Sequence, residues 1–293
     1  MNEEVAMPKT VKFAHEAMKT TFNLRMPEGS AERQRNVAKV CFEELDRLES
    51  LLSRFVEGSD VSQINHMRAG DSLFISEECH ACLLQALQLH QETGGLFDVT
   101  LGARIEHLKK GRGGEAPEIF GNLTVAPDQP LIVCEAPGRE IDLGGIGKGF
   151  ALDRLRQILI DWEIDSALLS AGASTQLAHG RLAWPLDLTG DHDSVRIDLY
   201  REALSASGVG IQGNHIVHPD AAREPGEGLS YKRVWLTAPT AAEADAWSTA
   251  VMLMTDDQIK ELGDDQPACL YVEDAEGVRQ WGGDGQKSES RKV

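Results

Sequence analysis

Hydrophobic and polar positions along this chain follow two periods, and together they place most of its elements. Phe22, Leu24 and Met26 fall on one side of an alternating run from Thr21 to Met26, which predicts a strand. Beyond Ser30, apolar residues Val37, Cys41, Leu45, Leu48, Leu52 and Phe55 step by three and four, the spacing of a long helix with a buried face and a serine N-cap. A second helix is predicted from about Ser76 to Glu92, ending at Thr93, Gly94 and Gly95. From Glu106 to Gln129 the chain is rich in Gly, Pro and charge and has no period, so it reads as a connection or insertion. Strands are expected at LIVCE and REIDL (131–135 and 139–143), in SALLSA before an AGAS turn, at VRIDLY and ALSASG, from Val234 to Ala238, and at ACLYVED. Ser205 and Ser207 read as turn residues, and the stretch from Ala275 reads as a polar, partly disordered tail.

The stretch around which these elements are organised is Ile141 to Trp162. A short apolar segment runs into Gly144 and Gly145, then Gly147, Lys148 and Gly149, and then Ala151, Leu155, Ile158, Leu159 and Trp162 at helical spacing. Strand, glycine turn and helix start are consecutive. Glycines let backbone N–H groups approach an oxyanion, a helix N-terminus adds partial positive charge, and Lys148 adds a full one. The spacing matches neither the P-loop nor the dinucleotide fingerprint, so a phosphate turn and a plain tight turn both stay open. A second informative stretch is 234–254, where a strand and a Pro-Thr turn precede a helix. Asp245 and Thr249 lie one turn apart on the same face of that helix, in a small, apolar run where a polar pair needs a partner. Asp98, between Phe97 and Thr100 just past the glycine stop, fits either a recognition loop or a helix cap.

Composition narrows the partners. The 293 residues carry 47 acidic against 29 basic side chains, a net charge of −18, which argues against nucleic acid or an anionic membrane. An anionic ligand therefore needs local cations, a metal ion or backbone donors. No window is long and apolar enough for a membrane span, and with no signal peptide or lipidation cysteine the expected location is the cytoplasm. Five cysteines, mostly in apolar segments, argue against a disulfide framework, and Cys79 and Cys82 form a CxxC without a second pair.

Several stretches, in order, resemble the ApbE-like family of FAD:protein FMN transferases. LSRFVEGSDVSQIN (52–65) resembles its serine-arginine-aromatic segment with a distal SxxN, and TGGLFDVTLG (93–102) its GaFDpT element. IDLGGIGKGFALD (141–153) is similar to DLGGiaKGya, LLSAGAS (168–174) to NaGGd, HIVHP (215–219) to the start of HIiDPrTG, and EADAWSTA (243–250) to ADAlaT. The resemblance implies an α+β fold, T-fold-like, with two lobes of antiparallel sheets and packed helices and a ligand cleft between them. It implies one domain over 1–274, with 275–293 as the tail. It also implies magnesium-dependent transfer of FMN from FAD to a Thr or Ser hydroxyl of an acceptor flavoprotein domain, with release of AMP. On this resemblance Gly147, Asp245 and Thr249 hold Mg2+, and Lys148 lies near the phosphates. Met18, Phe55, Leu96, Phe97, Asp98, Gly144, Gly145, Gly172 and Ile216 contact the flavin nucleotide, and His215 acts on the acceptor hydroxyl. The chain departs from the pattern at Lys19, where the family has glycine, and at His218, Asp220, Ala221 and Ala222 after the HIVHP element. The altered loop favours one alternative, an FAD-binding protein of the same fold without transfer, and a second alternative is a magnesium-dependent hydrolase giving FMN and AMP. The implied assembly is a monomer or homodimer.

Overall fold

The computed structural model describes residues 7–110, 117–208, 216–220, 229, 231–262, 269–281 and 291–292. Its centre is an eight-stranded, wholly antiparallel sheet in the order β1-β2-β6-β7-β10-β11-β12-β13. These strands are β1 (Thr10–Ala17), β2 (Thr20–Pro27), β6 (Ser166–Ala171), β7 (Thr175–Gly180), β10 (Ala203–Gly208), β11 (Arg233–Ala238), β12 (Cys269–Asp274) and β13 (Gly277–Gln280). One face is covered by helices α1 (Ala31–Leu52), α3 (Glu77–Glu92), α5 (Gly147–Asp161) and α6 (Ala241–Leu253). The other packs on a small sheet of β8 (Trp184–Thr189), β9 (Asp193–Leu199) and β14 (Arg291–Lys292). A third sheet, β3 (Ser72–Phe74), β5 (Leu131–Ala136) and β4 (Asn122–Val125), and short helices α2 (Asp60–Ile64), α4 (Gly102–Lys109) and α7 (Asp256–Glu261) complete the molecule.

Strand residues divide between two cores as the period of two requires. In β11, Val234, Leu236 and Ala238 face the helices and Trp235 faces the small sheet; in β12, Leu270 and Val272 face the helices and Tyr271 the small sheet. Strands covered on both faces read as continuous apolar runs, which is why SALLSA shows no alternation. α6 follows the same logic. It is surrounded by helices and sheet, and Ala241, Ala242, Ala244, Ala246 and Ala250 are all fully buried.

Several sequence expectations need correction. REIDL forms no strand. Its backbone is held instead by single contacts: a parallel bridge of Glu140 with Leu101, Gly102 N–H on Glu140 O, Asp142 N–H on Val99 O, and the Asn65 side chain on Ile141. The 106–129 segment is not all connection, since α4 runs to Lys109 and β4 pairs with β5. α1 ends at Leu52, so Phe55 is not on its buried face and is 54% exposed. Ser205 and Ser207 lie within β10. β13 pairs with β12 inside the stretch read as a polar tail. β1, β3, β8 and α7 have no counterpart in the sequence reading. Pro185 in β8 is tolerated because β8 is an edge strand of its sheet. Cys79 and Cys82 sit on α3 facing the core, where burial pushes the Cys82 thiol up to about 12. Among the described residues, no helix is long and apolar enough to cross a membrane.

Candidate functional site

The glycine turn and α6 meet directly. Gly149 is the third residue of α5, where a helix leaves its N–H groups without intrahelical partners. That N–H donates to Asp245 Oδ2 at 2.9 Å. A side chain at 149 cannot fit, because a Cβ there would lie 2.2 Å from the Ala241 carbonyl oxygen. One turn along α5, Asp153 accepts from the N–H groups of Ala241 (3.0 Å) and Ala242 (2.9 Å), capping α6 from outside alongside the Thr240–Glu243 capping box.

Burial outweighs those two donors and raises the Asp153 carboxyl from its ordinary 3.8 to about 6. A folded state that holds the proton more tightly than the unfolded chain gains stability below pH 3.8 and loses it as pH rises towards 6. Denaturant melts at pH 4.5 and 7 should therefore show wild type losing on the order of 2 kcal/mol relative to Asp153→Asn over that interval. A pH-independent difference would place the shift elsewhere.

Asp245 is 5% exposed, and among the described residues its carboxylate accepts three hydrogen bonds. Besides Gly149, Thr175 Oγ1 on β7 donates at 2.6 Å and Ser205 Oγ on β10 at 2.7 Å, both to Oδ1. Ser248 Oγ bonds to the Asp245 carbonyl at 3.0 Å and Thr249 Oγ1 to the same carbonyl at 3.1 Å. All these donors are neutral, and among the described residues no basic side chain pairs with Asp245. Asp142, which begins the glycine turn, differs in this respect. Its Oδ1 accepts from Gly144 N–H at 2.8 Å, while Arg54 lies 3.3 Å from Oδ2 and 2.5 Å from Glu140. Asn65 fixes the approach to the turn by accepting from Ile141 N–H at 2.7 Å and donating to Ile141 O at 3.0 Å.

Two adjoining cavities flank this junction. The smaller, about 90 Å³, takes Leu96, Phe97, Asp98, Gly144, Gly145, Lys148, Ile216, Asp245 and Thr249 from the residues expected to form the site. The larger, about 460 Å³, takes Met18, Phe55, Gly144, Gly147, Lys148 and Gly172. Gly144, Lys148, Asp142 and Ser174 line both. The structure thus gathers every expected site residue it describes along one cleft, with Gly147 on the larger side and Asp245 and Thr249 on the smaller. Gly145 lies on the smaller side, where a Cβ on it would lie 3.1 Å from the Phe97 ring and 3.8 Å from Thr249 Oγ1. His215 lies outside the described residues. Lys148 Nζ donates to Gly144 O at 3.2 Å. Asp98 is not a helix cap: α4 starts from Leu101 without a side-chain cap, and Asp98 accepts from Thr100 N–H and Oγ1 in a local turn, facing Arg139 at 3.7 Å.

Sequence reasoning missed Thr175, Ser205 and Ser248, the hydroxyls around the buried carboxylate. The signal was present in ALSASG. Ser205 and Ser207 share one strand face, and Leu204 and Ala206 occupy the other. The donor set fits a hard cation. Its groups are oxygens with no basic side chain among them, and a threonine hydroxyl that donates to a carbonyl keeps oxygen lone pairs for a metal. Among the described residues no group of three or more His, Cys, Asp or Glu could hold a metal ion, so a cation at this junction would depend on hydroxyl and carbonyl oxygens beside Asp245.

Fold and cleft together define an α+β protein whose candidate ligand site lies at a glycine turn between an antiparallel sheet and two helices. The ApbE family model matches residues 18–271, and the chain belongs to that family. It is similar to an FAD:protein FMN transferase of Escherichia coli K12, 24% identical with 89% of this chain and 83% of that protein covered. A Klebsiella pneumoniae protein of the same name is also 24% identical, over 81% of this chain and 77% of that protein. The fold matches the flavin transferase ApbE of Vibrio cholerae with a TM-score of 0.79 at 19% identity, covering 93% of this chain and 96% of that one. An ApbE protein of Thermotoga maritima matches with a TM-score of 0.78 at 23% identity, over 93% and 97% of the two chains.

Proposed function

We propose that this chain transfers FMN from FAD to a Thr or Ser hydroxyl of an acceptor flavoprotein domain, releasing AMP, in a reaction that requires magnesium. The observation that carries this reading is the contact between the glycine turn and Asp245: a buried carboxylate with no basic partner among the described residues, bonded to the start of α5 beside a cleft lined by lysines. Family membership and similarity to proteins named FAD:protein FMN transferase supply the reaction class. Asp245, Thr249 and the Gly147 carbonyl would hold the ion, which when bound neutralises charge on the diphosphate oxygens. The residues then divide the remaining work. Lys148 offsets phosphate charge from the helix start, Phe97 and Phe55 offer faces to ring systems, and the glycine turn admits the phosphates close to the backbone. His215 accepts the proton of the acceptor hydroxyl as its oxygen bonds to the FMN phosphorus and the bridging oxygen leaves with AMP.

The test is to incubate purified protein with FAD, Mg2+ and an acceptor domain, then record AMP and the acceptor's mass. AMP together with an acceptor heavier by one esterified FMN supports transfer. AMP without a mass change indicates hydrolysis, and neither product indicates a binding protein. Excess EDTA should abolish both products and Mg2+ should restore them; turnover that persists in EDTA would exclude the metal.

A further inference from the structure

In a chain of net charge −18, three lysines converge on the larger cavity: Lys19, Lys109 and Lys148. Lysines elsewhere do pair with acids, as in Lys39–Glu43, Lys110–Glu106, Lys232–Asp191 and Lys260–Asp257. None of the three on the cavity wall forms a salt bridge among the described residues, and only Lys109 has a carboxylate, Glu106, close enough to feel its charge. Arg54, also on this wall, is already held by Glu140 and Asp142, which leaves Glu49 as the one lining carboxylate outside that group. The cavity is therefore a local positive site on an acidic molecule.

Lys19 is the least expected of the three. It occupies the second position of the two-residue turn between β1 and β2, with φ of 60° after Met18 at 50°, a conformation that suits Gly, Asn or Asp. Neither packing nor turn chemistry favours a lysine there. Its ammonium lies 3.5 Å from the centroid of the exposed Phe55 ring, a weak contact at a solvated site that a stronger anionic partner displaces. From this turn the flexible stem reaches into the same cavity as Gly172 and Ser174 on one side and Gly144 and Lys148 on the other.

We propose that Lys19 is a ligand-binding residue of the cleft. Its ammonium leaves the Phe55 ring to contact a phosphate of the bound flavin nucleotide, which makes the site discriminate phosphorylated flavins from unphosphorylated ones. The proposal rests on the flavin-nucleotide reading given above. It predicts that K19G and K19M both bind FAD and FMN about tenfold more weakly than wild type in fluorescence titrations at low salt. Riboflavin, which has no phosphate, should bind all three proteins alike, and the difference in FAD affinity should shrink as NaCl rises from about 0.05 to about 0.5 M. K19G should melt no lower than wild type, because glycine suits the turn. FAD affinity unchanged in both variants would overturn the proposal. So would a parallel loss of riboflavin affinity, which would make Lys19 a packing residue. Wild-type protein that binds none of the three flavins would overturn the functional reading itself, and the proposal with it.

Discussion

Asp245→Asn is expected to lower magnesium-dependent turnover of FAD by about a hundredfold or more while leaving a folded chain. Substituting groups that merely orient a metal ligand costs about 10–100-fold, so loss of the charged ligand belongs at or beyond the upper end. The shape of the side chain is kept, yet an amide NH2 replaces one of the two oxygens, so either the Gly149 N–H at Oδ2 or the Thr175 and Ser205 hydroxyls at Oδ1 lose their acceptor. Raising Mg2+ should recover part of the activity, since the loss lies in metal affinity. Turnover equal to wild type would remove Asp245 from the metal site and leave it a structural carboxylate.

Gly149→Ala is expected to be the most destabilising single change within the glycine turn, by about 3 kcal/mol, with activity lost alongside. The added methyl would meet backbone atoms of Ala241 and Ala242 at 2.2 to 2.6 Å, and backbone cannot rotate away as a side chain can. α5 and α6 must separate, which pulls apart the Gly149–Asp245 bond and the Asp153 cap together. Gly147→Ala is the internal control for stability. Its Cβ would meet nothing closer than Leu143 Cβ at 3.7 Å, so in the first turn of a helix alanine should cost nothing. Equal melting temperatures for the two variants would refute this view of the junction.

The sequence made elements with one clear period legible. α1 and α3 each begin at the serine that caps them, and Asp245 and Thr249 share a helix face as their spacing requires. It also gave away the glycine turn, because glycines, lysine and a following apolar period coincide. What it concealed depends on long-range partners. REIDL has strand composition, but the Asn65 side chain and loop carbonyls take its backbone groups. β1 is half polar because it edges the main sheet, and β8 carries a proline for the same reason at the edge of the small one. The hydroxyls of Thr175 and Ser205 come from two strands far apart in the chain, and only the sheet order, β7 beside β10, brings them to the Asp245 carboxylate. Lys19 was visible as a substitution within a known pattern, whereas its contact with Phe55 depends on how the β1–β2 turn meets the end of α1.

The central claim is that the start of α5 and the Asp245 face of α6 hold one cation against the diphosphate of a bound flavin dinucleotide. Phosphorus NMR of FAD bound to the protein, titrated with Mn2+ in place of Mg2+, tests it most directly. With wild-type protein, about one equivalent of Mn2+ should broaden both diphosphate resonances beyond detection, and with Asp245→Asn the same addition should leave them sharp. Diphosphate lines that stay sharp on the wild-type complex, or broaden equally in both proteins, would contradict a shared cation at this junction.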